Sequence, residues 1–337
     1  MKSCHLRPGA GIDGLALRGH ERPEPGPGEV SVRIRATSQS RRELLVLDGH
    51  HPLPVLPDTV PGGAGVGEVV AIGAGVTRVR PGDRVAATVF PDWIDGPFAL
   101  DRAAQLGSSR DSVLTEFAVV GEQALVHLPG HLSFAEAAAF PLTAVTAWNA
   151  LTGGRALLPG ETVPTLGTGA VSLFAVQFAK LFGARVIATT SSPDKAARLR
   201  ALGADEVVDY REHPCWGERV RRVSGGRGVD RVVDVAGEPT QSLAATALGG
   251  EIAFAGHRLG ADASDASPAA AALFTVGAVL RPLAVGSRAQ FEALNRAVEV
   301  ARLRLPIHRE LSFDEVPEAL RYYRQGSFMG NVVIDHA

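Results

Sequence analysis

The first third of the chain alternates apolar and polar residues, and longer apolar blocks take over further on. Val30, Val32 and Ile34 are separated by Ser31, Arg33 and Arg35, the two-residue period of a half-buried strand. The stretch PGGAGVGEVVAIGAGV from Pro61 to Val76 predicts a strand and turn bounded by glycines. Pro81-Gly82-Asp83-Arg84 predicts a turn that opens a strand over 85–90, and Thr115 to Val120 predicts another short strand. Ser133, with Glu136 three residues on, has the pattern of a capping box ahead of an alanine-rich helix. From residue 161 the rhythm changes. Apolar strands at 162–166, 185–190, 206–210, 231–235 and 251–255 are interleaved with helical patterns at 171–182 and 194–202. That alternation predicts a parallel sheet covered by helices. Two amphipathic helices, 289–302 and 313–325, and a strand over 331–334 complete the pattern.

Composition narrows the class. The 337 residues accommodate two domains, and 45% apolar with 21% charged residues fits a globular chain. A net charge of −2 offers no surface for neutralising many phosphates, so nucleic acid is not an expected partner. No apolar run reaches the roughly 18 residues of a membrane span. Met1 to Gly14 lacks the pattern of a signal peptide, so the cytoplasm is the expected location. The two cysteines, Cys4 and Cys215, are too far apart for a disulfide framework and too few for a four-thiolate zinc site. Lysine is scarce: Lys2, Lys180 and Lys195 stand among a total of 34 lysines and arginines.

The strand over 162–166 runs directly into Gly167-Thr168-Gly169-Ala170-Val171-Ser172 and then an apolar helix. Strand, glycine turn, helix and second strand together form the context of a dinucleotide fingerprint. Gly167 permits the tight turn, Gly169 lets the backbone approach a pyrophosphate, and Ser172 is small enough for the third glycine's place. The helix start offers unpaired N–H groups to phosphate. After the second strand comes Thr189-Thr190-Ser191-Ser192, with no acid until Asp194 and then Lys195. An NAD site needs an acid here for the ribose 2′-hydroxyl; hydroxyls plus a cation suit a 2′-phosphate, which favours NADPH over NADH. The other reading of Lys195 is a solvated helix residue.

These motifs carry a resemblance. VPGGAGVGEVVAIGAGVTRVRPGDRV, FPDWIDGP, PLTAVTAWNAL, LGTGAVSLFAVQFAK, LRALGADEVVDY, GGRGVDRVVDVAG and VGSRAQFEALNRA span nearly the whole chain. The chain resembles a medium-chain dehydrogenase/reductase, most closely the zinc-free, quinone-oxidoreductase-like or zinc-independent alcohol dehydrogenase branch. The resemblance implies an α/β Rossmann doubly wound sheet over 125–286 and a discontinuous, β-rich GroES-like catalytic domain over 1–124 and 287–337. It assigns Lys195 and Tyr210 to the adenosine 2′-phosphate and Thr146 to the nicotinamide side. Ala236-Gly237 and Gly256-His257 would border the ribose and nicotinamide, with Ser287 and Asn331 completing the cofactor set. Zinc-dependent relatives hold catalytic zinc with cysteine, histidine and a second cysteine or an acid. The matching positions here look like Ser40, Gly63 and Leu142, so no zinc is expected.

Zinc-free relatives often carry Asn-Tyr-Arg-Asp at the start of the active-site helix, where this chain reads Ser40-Arg41-Arg42-Glu43. Arg41 reads either as a fixed positive charge beside a developing enolate or as a solvated helix residue. Arg42 with Glu43 reads first as a structural ion pair. His50-His51 lies in a loop that, by resemblance, faces the substrate, and His51 can relay a proton; a roleless surface pair is the other reading. Asp92 and Trp93 belong to a segment that reads as an aromatic lid or as packing. Pro164 in the first Rossmann strand predicts lost ladder bonding and a bulge, and Pro282 predicts an interrupted strand at a homodimer seam. The leading expectation is hydride transfer from NADPH to a carbonyl, enone or quinone of a small molecule, served by Ser40, Arg41, Arg42, His51, Trp93 and Thr146. The alternative is a non-redox step, cyclisation or dehydration, or a catalytically degenerate binding protein that retains the cofactor.

Overall fold

The computed structural model describes residues 1–255, 273–326 and 328–336. The chain divides into two compact units, Met1–Val145 with Val285–Ala337, and Thr146–Ala284. The first boundary therefore falls at 145 rather than 124, and the return at 285 rather than 287. The cause is local. The strand Leu125–His127 pairs with the strand Arg84–Ala87 through Val85↔His127, and the helix Phe134–Ala137 packs on Glu29–Ser38, so both stay with the first unit.

In the first unit, β1 (Lys2–His5) and β2 (Ala16–Gly19) form a ribbon. A seven-stranded sheet contains β3 (Glu29–Ser38), β4 (Gly65–Ile72), β5 (Arg84–Ala87), β6 (Phe117–Gly121) and β7 (Leu125–His127). From the far end of the chain β14 (Ile307–Ser312) and β15 (Asn331–Asp335) join it, β15 pairing antiparallel with β3. In β3, Val30, Val32 and Ile34 are buried against Val69, Val85, Val120 and Leu125 as the two-residue period predicts, but of Ser31, Arg33 and Arg35 on the opposite face only Arg33 is exposed: Ser31 is fully buried and Arg35 half-buried. A second apolar cluster joins Leu44 and Leu47 of α1 (Arg41–Leu47) to Leu320 and Ile334. Each such side chain contributes about 1.5–3 kcal/mol of burial. Next come α2 (Phe134–Ala137), whose Ser133–Glu136 capping box is formed, and a π-helical turn, Phe140–Ala144. Pro141 inside that turn has no N–H to give, and both Thr143 and Ala144 donate to the Ala139 carbonyl. The turn continues into α3 (Val145–Thr152).

The second unit holds β8 (Thr162–Thr165), β9 (Arg185–Thr190), β10 (Glu206–Asp209), β11 (Val229–Asp234), β12 (Thr246–Phe254) and β13 (Val279–Pro282). All pairings are parallel, in the order β10-β9-β8-β11-β12-β13. Helices α4 (Ala170–Leu181), α5 (Pro193–Ala201), α6 (Trp216–Val223) and α7 (Pro239–Ala245) pack against it. The order reverses between β8 and β11, the switch point at which doubly wound sheets bind dinucleotides. The bulge expected at Pro164 is absent on the β9 side, where Val163↔Val186, Pro164↔Ile187 and Thr165↔Ala188 run without a shift. The cost falls on the β11 side, where pairing with β8 is reduced to Val233↔Thr165. A proline removes one donor, not the whole ladder. Pro282 does sit on the edge strand, beside Phe254. Two further helices, α8 (Arg288–Ala301) and α9 (Val316–Gln325), belong to the first unit.

Candidate functional site

In the second unit the fingerprint loop follows β8. Gly167 has φ +75°, a left-handed conformation that side chains rarely adopt, and its N–H donates to Thr189 Oγ1 at 3.1 Å. Gly169 caps α4, and a Cβ at Gly167 or Gly169 would meet nothing within 4 Å. The glycines thus leave the outer face of the loop bare, as backbone approach to a pyrophosphate requires. Ser172 is fully buried and its Oγ donates to the Leu166 carbonyl at 2.7 Å, which ties the helix to the strand end. Thr168 is buried, while Ala170 and Val171 open α4.

Ser192 caps α5 by accepting from the Lys195 N–H, so Ser191, Ser192 and Lys195 gather at one helix start after β9. Tyr210, directly after β10, is 40% exposed. Ala236 and Gly237 donate their N–H groups to Asp234 Oδ1 at 3.0 and 2.9 Å. Burial pushes the Asp234 carboxyl above its ordinary range, against hydrogen bonds from Ser242 and from this loop. These N–H groups are committed to the loop itself. Thr146 is buried in α3. Gly256 and His257 lie outside the described residues. Ser287 and Asn331 belong to the first unit: Ser287 is the buried cap of α8, accepting from the Gln290 N–H, and Asn331 opens β15, also buried.

The first unit brings Ser40 and Arg42 together with a residue whose depth was not foreseen, Glu43. Glu43 is 2% exposed. Its carboxylate accepts from Ser40 Oγ and from the Gly63 N–H at 2.8 Å, and lies 3.5 Å from Arg42 Nη1. Arg42 donates through Nε and Nη2 to Gln105 Oε1 at 3.2 and 2.9 Å, and through Nη2 to the Leu106 carbonyl at 2.8 Å. Gln105 is buried, and its Nε2 lies 2.7 Å from His51 Nε2. With Gln105 Oε1 accepting from Arg42, its Nε2 is the donor, so His51 Nε2 is the acceptor and the neutral ring carries its proton on Nδ1. Burial lowers the Arg42 guanidinium from its ordinary value, and Glu43 opposes that by charge and hydrogen bond. Tyr323 of α9 hydrogen-bonds the Arg41 backbone; burial, then the Glu43 charge, pushes it up to about 12, so it remains a phenol.

The other candidates stay outside this cluster. Arg41 is exposed, in keeping with the reading of it as a solvated helix residue, and His50 is exposed as well. Asp92 pairs with Arg110 at 2.7 Å on the surface. Trp93 is buried, donates Nε1–H to the Gly96 carbonyl at 2.8 Å, and packs edge-on against Phe90 and Phe98, so it is core rather than lid. Glu43 had a signal in the sequence: Ser-x-x-Glu is the capping pattern, although here the glutamate takes the Ser40 hydroxyl and the Gly63 N–H. Gln105 had none.

The matched metal positions converge as well. A Cβ at Gly63 would lie 2.8 Å from Arg42 Nη1, 2.9 Å from Glu43 Oε1 and 2.9 Å from Leu142 Cδ1. Gly63 and Leu142 carry no ligand atom and the Ser40 hydroxyl is engaged by Glu43, a donor set that does not fit zinc. Among the described residues no group of three or more histidines, cysteines or acids is arranged to hold a metal.

A doubly wound sheet with this fingerprint, in a chain that also carries a β-rich unit with a seven-stranded sheet, defines a two-domain dinucleotide-binding class. Residues 26–130 match the family model of the alcohol dehydrogenase GroES-like domain, and 170–299 match that of the zinc-binding dehydrogenases. A zinc-type alcohol dehydrogenase-like protein of Schizosaccharomyces pombe is 34% identical over 332 residues, 96% of each chain. A quinone oxidoreductase of Pseudomonas aeruginosa is 37% identical over 231 residues, 68% of this chain and 65% of that one. The crystal structure of an NAD-dependent alcohol dehydrogenase superposes over 100% of both chains with TM-score 0.89 and 35% identity. The chain belongs to the medium-chain dehydrogenase/reductase superfamily and is an NAD(P)-dependent oxidoreductase. No helix among the described residues is long and apolar enough to cross a membrane.

Proposed function

We propose that the protein is a metal-independent, NADPH-dependent reductase that passes a hydride to a carbonyl, or to the β-carbon of an enone or quinone, of a small molecule. The observation that carries cofactor choice is the α5 start, where Ser191, Ser192 and Lys195 gather with no acid before Asp194. Hydroxyls and an ammonium group match a 2′-phosphate, whereas an NAD site needs a carboxylate at that point. The cofactor supplies the hydride from its nicotinamide C4 when bound. The chain's own contribution is to hold the pyrophosphate on the Gly167–Gly169 loop, orient the substrate and stabilise the developing oxyanion. Metal independence is supported by the Ser40, Gly63 and Leu142 donor set. We also propose a cytoplasmic location and a homodimer built on the β13 edge, where Val279 and Leu280, with Leu248 and Phe274 nearby in the same unit, are exposed.

The test is oxidation of NADPH and NADH with a panel of ketones, aldehydes, enones and quinones, in the presence of a strong chelator. NADPH should be preferred, with activity unchanged by the chelator, and Lys195→Ala should erase the preference. Equal use of both cofactors by the wild type would overturn the NADPH assignment. Loss of turnover with the chelator would overturn metal independence.

A further inference from the structure

We propose that Asp234 is a positioning residue for the dinucleotide: it turns the backbone N–H groups of Ala236, Gly237 and Glu238 inward and so fixes the loop that receives the nicotinamide half. The proposal rests on dinucleotide binding by the second unit, and it holds for NADPH and NADH alike.

Topology places the loop. β8 and β11 are neighbours, joined at Val233↔Thr165, and the strand order reverses between them. The loops that leave their carboxyl ends, 167–169 and 235–238, therefore lie on the two sides of the switch point, within one unit. A dinucleotide lies across such a point, with its pyrophosphate at the fingerprint loop. The residues that read the adenosine ribose follow the second strand, here β9. The adenosine half belongs to the β8–β9 side, which leaves the other nucleotide to the β11 side.

Hydrogen bonding gives Asp234 its part. The side chain is fully buried, yet no guanidinium or ammonium group among the described residues pairs with it. A buried carboxylate is costly unless its hydrogen bonds are made, and here neutral donors make them. Ser242 Oγ donates to Oδ2 at 2.8 Å, and the Ala236 and Gly237 N–H groups donate to Oδ1 at 3.0 and 2.9 Å. The Glu238 N–H bonds to the same carboxyl. Successive N–H groups turned to one side form a nest, and an open nest binds anions. Asp234 fills this one with the chain's own carboxylate, so these three amides do not compete with the fingerprint loop for pyrophosphate. Gly237 at φ +75° permits the turn, and Glu238 closes it by accepting from Trp216 Nε1 at 2.9 Å. A loop pinned at both ends presents one fixed surface to its half of the ligand.

Two measurements test it, and neither needs turnover. The first is the calorimetric affinity of the intact protein for the whole oxidised cofactor and for its adenosine fragment, adenosine 2′,5′-bisphosphate beside NADP+ and AMP beside NAD+. Asp234→Ala should weaken the whole cofactor about tenfold or more, as the loss of one or two hydrogen bonds does, and leave the fragment within about twofold. Asp234→Asn should match wild type for both ligands, because its Oδ1 still accepts the N–H groups and its Nδ2 donates to Ser242 Oγ. An Asp234→Ala variant with wild-type cofactor affinity, a loss that the fragment shares equally, or a failure of asparagine to rescue overturns the proposal. The second is amide hydrogen exchange at Ala236, Gly237 and Glu238 in the wild type, where no folding defect intervenes. These amides should be protected without cofactor and gain little when it binds. Free exchange that turns to protection on cofactor binding gives these N–H groups to the ligand instead of Asp234, and overturns the proposal. A wild type that binds neither cofactor nor fragment defeats the dinucleotide reading itself, a result distinct from the others, and the proposal falls with it.

Discussion

Glu251 is paired directly with two arginines of the parallel sheet, with Glu161 acting on one of them from farther away, and Glu251→Gln isolates its worth. Arg231 of β11 is fully buried; its Nη1 donates to the Ala150 and Leu151 carbonyls at 3.0 and 2.6 Å, and its Nη2 donates to the Arg155 carbonyl and to Glu251 Oε2 at 3.0 Å. Arg281 of β13 donates Nε to Glu251 Oε1 at 2.7 Å and Nη2 to the Asn149 carbonyl at 2.9 Å. The cluster thereby ties the last turn of α3, whose first turn carries Thr146, to two strands of the sheet. Glutamine conserves shape but leaves two guanidinium groups with no anion between them. With charge centres about 4 Å apart and an effective dielectric near 20, each lost attraction is about 4 kcal/mol. Arg281 is 21% exposed, so water recovers part of its share. The net cost should be about 3–5 kcal/mol, as for other broken buried pairs. At about 2–4 °C per kcal/mol for a body of this size, the melting transition should fall by about 6–20 °C. Arg231→Met leaves a neutral Glu251–Arg281 pair and takes a donor from three carbonyls; Leu151 keeps the Leu157 N–H at 3.0 Å and Ala150 keeps Arg281 Nη2 at 3.4 Å, so the loss falls mainly on the Arg155 carbonyl, worth about 1–3 kcal/mol if it stays dry. Thermal melts of both variants and of the double variant are the assay. The double variant should cost less than the two single losses added, because the charge is then removed together with one of its partners. A Glu251→Gln melt within about 2 °C of wild type would refute the argument that the cluster is held by charge.

Other outcomes follow from local geometry. His336, whose ring packs between Thr37 Oγ1 at 3.2 Å and the Thr115 carbonyl at 3.1 Å, is held by burial down to about 4. The unfolded chain binds that proton near pH 6.5 and the native one does not, so stability should rise by about 3 kcal/mol from pH 4 to 6.5. Urea titrations across that range should show this slope, and a His336→Gln variant with the same slope would contradict it. Gly167→Ala should cost about 1–2 kcal/mol through its φ of +75° alone, since the added Cβ meets nothing, and should weaken NADPH binding. Unchanged melting and affinity together would sink that reading. If the proposed dimer forms on the exposed β13 edge, Val279→Lys should shift the sedimentation profile toward monomer, and Pro282→Val, which restores a donor, should tighten the association. A profile unmoved by the lysine would remove β13 from the seam.

The parallel unit was legible almost strand by strand because its signals are local. A buried strand is a short apolar run, a glycine turn announces the helix after it, and β9 coincides with the predicted residues 185–190. Pro164 misled for a local reason too: a bulge is the usual consequence of a missing donor, but only the β11 side of the ladder needed one. The site in the first unit was legible only in part. Arg41 and Arg42 are adjacent, both charged, and one helical step of about 100° apart, so no local pattern tells which turns inward. Arg42 turns inward because position 63 has no side chain, Glu43 supplies a charge, and Gln105 accepts from its far side. Two of those three conditions lie 21 and 63 residues away along the chain. The capping pattern Ser40-x-x-Glu43 was visible, but whether that glutamate serves the helix or an ion pair depends on what is packed over it. Here the Gly63 N–H is what reaches it, and a one-residue change at 63 would alter the volume, the charge balance and the hydrogen bonding of Arg42 at once. Gly63→Ala, read against Gly63→Ala/Arg42→Ala in thermal melts, measures how far that packing depends on position 63. The single variant should lose stability through contacts of 2.8 Å with Nη1 and 2.9 Å with Glu43 Oε1 and Leu142 Cδ1, and the second substitution should lower it further, because it strips the buried Glu43 carboxylate of its guanidinium; a melt unchanged by Gly63→Ala would refute the packing argument.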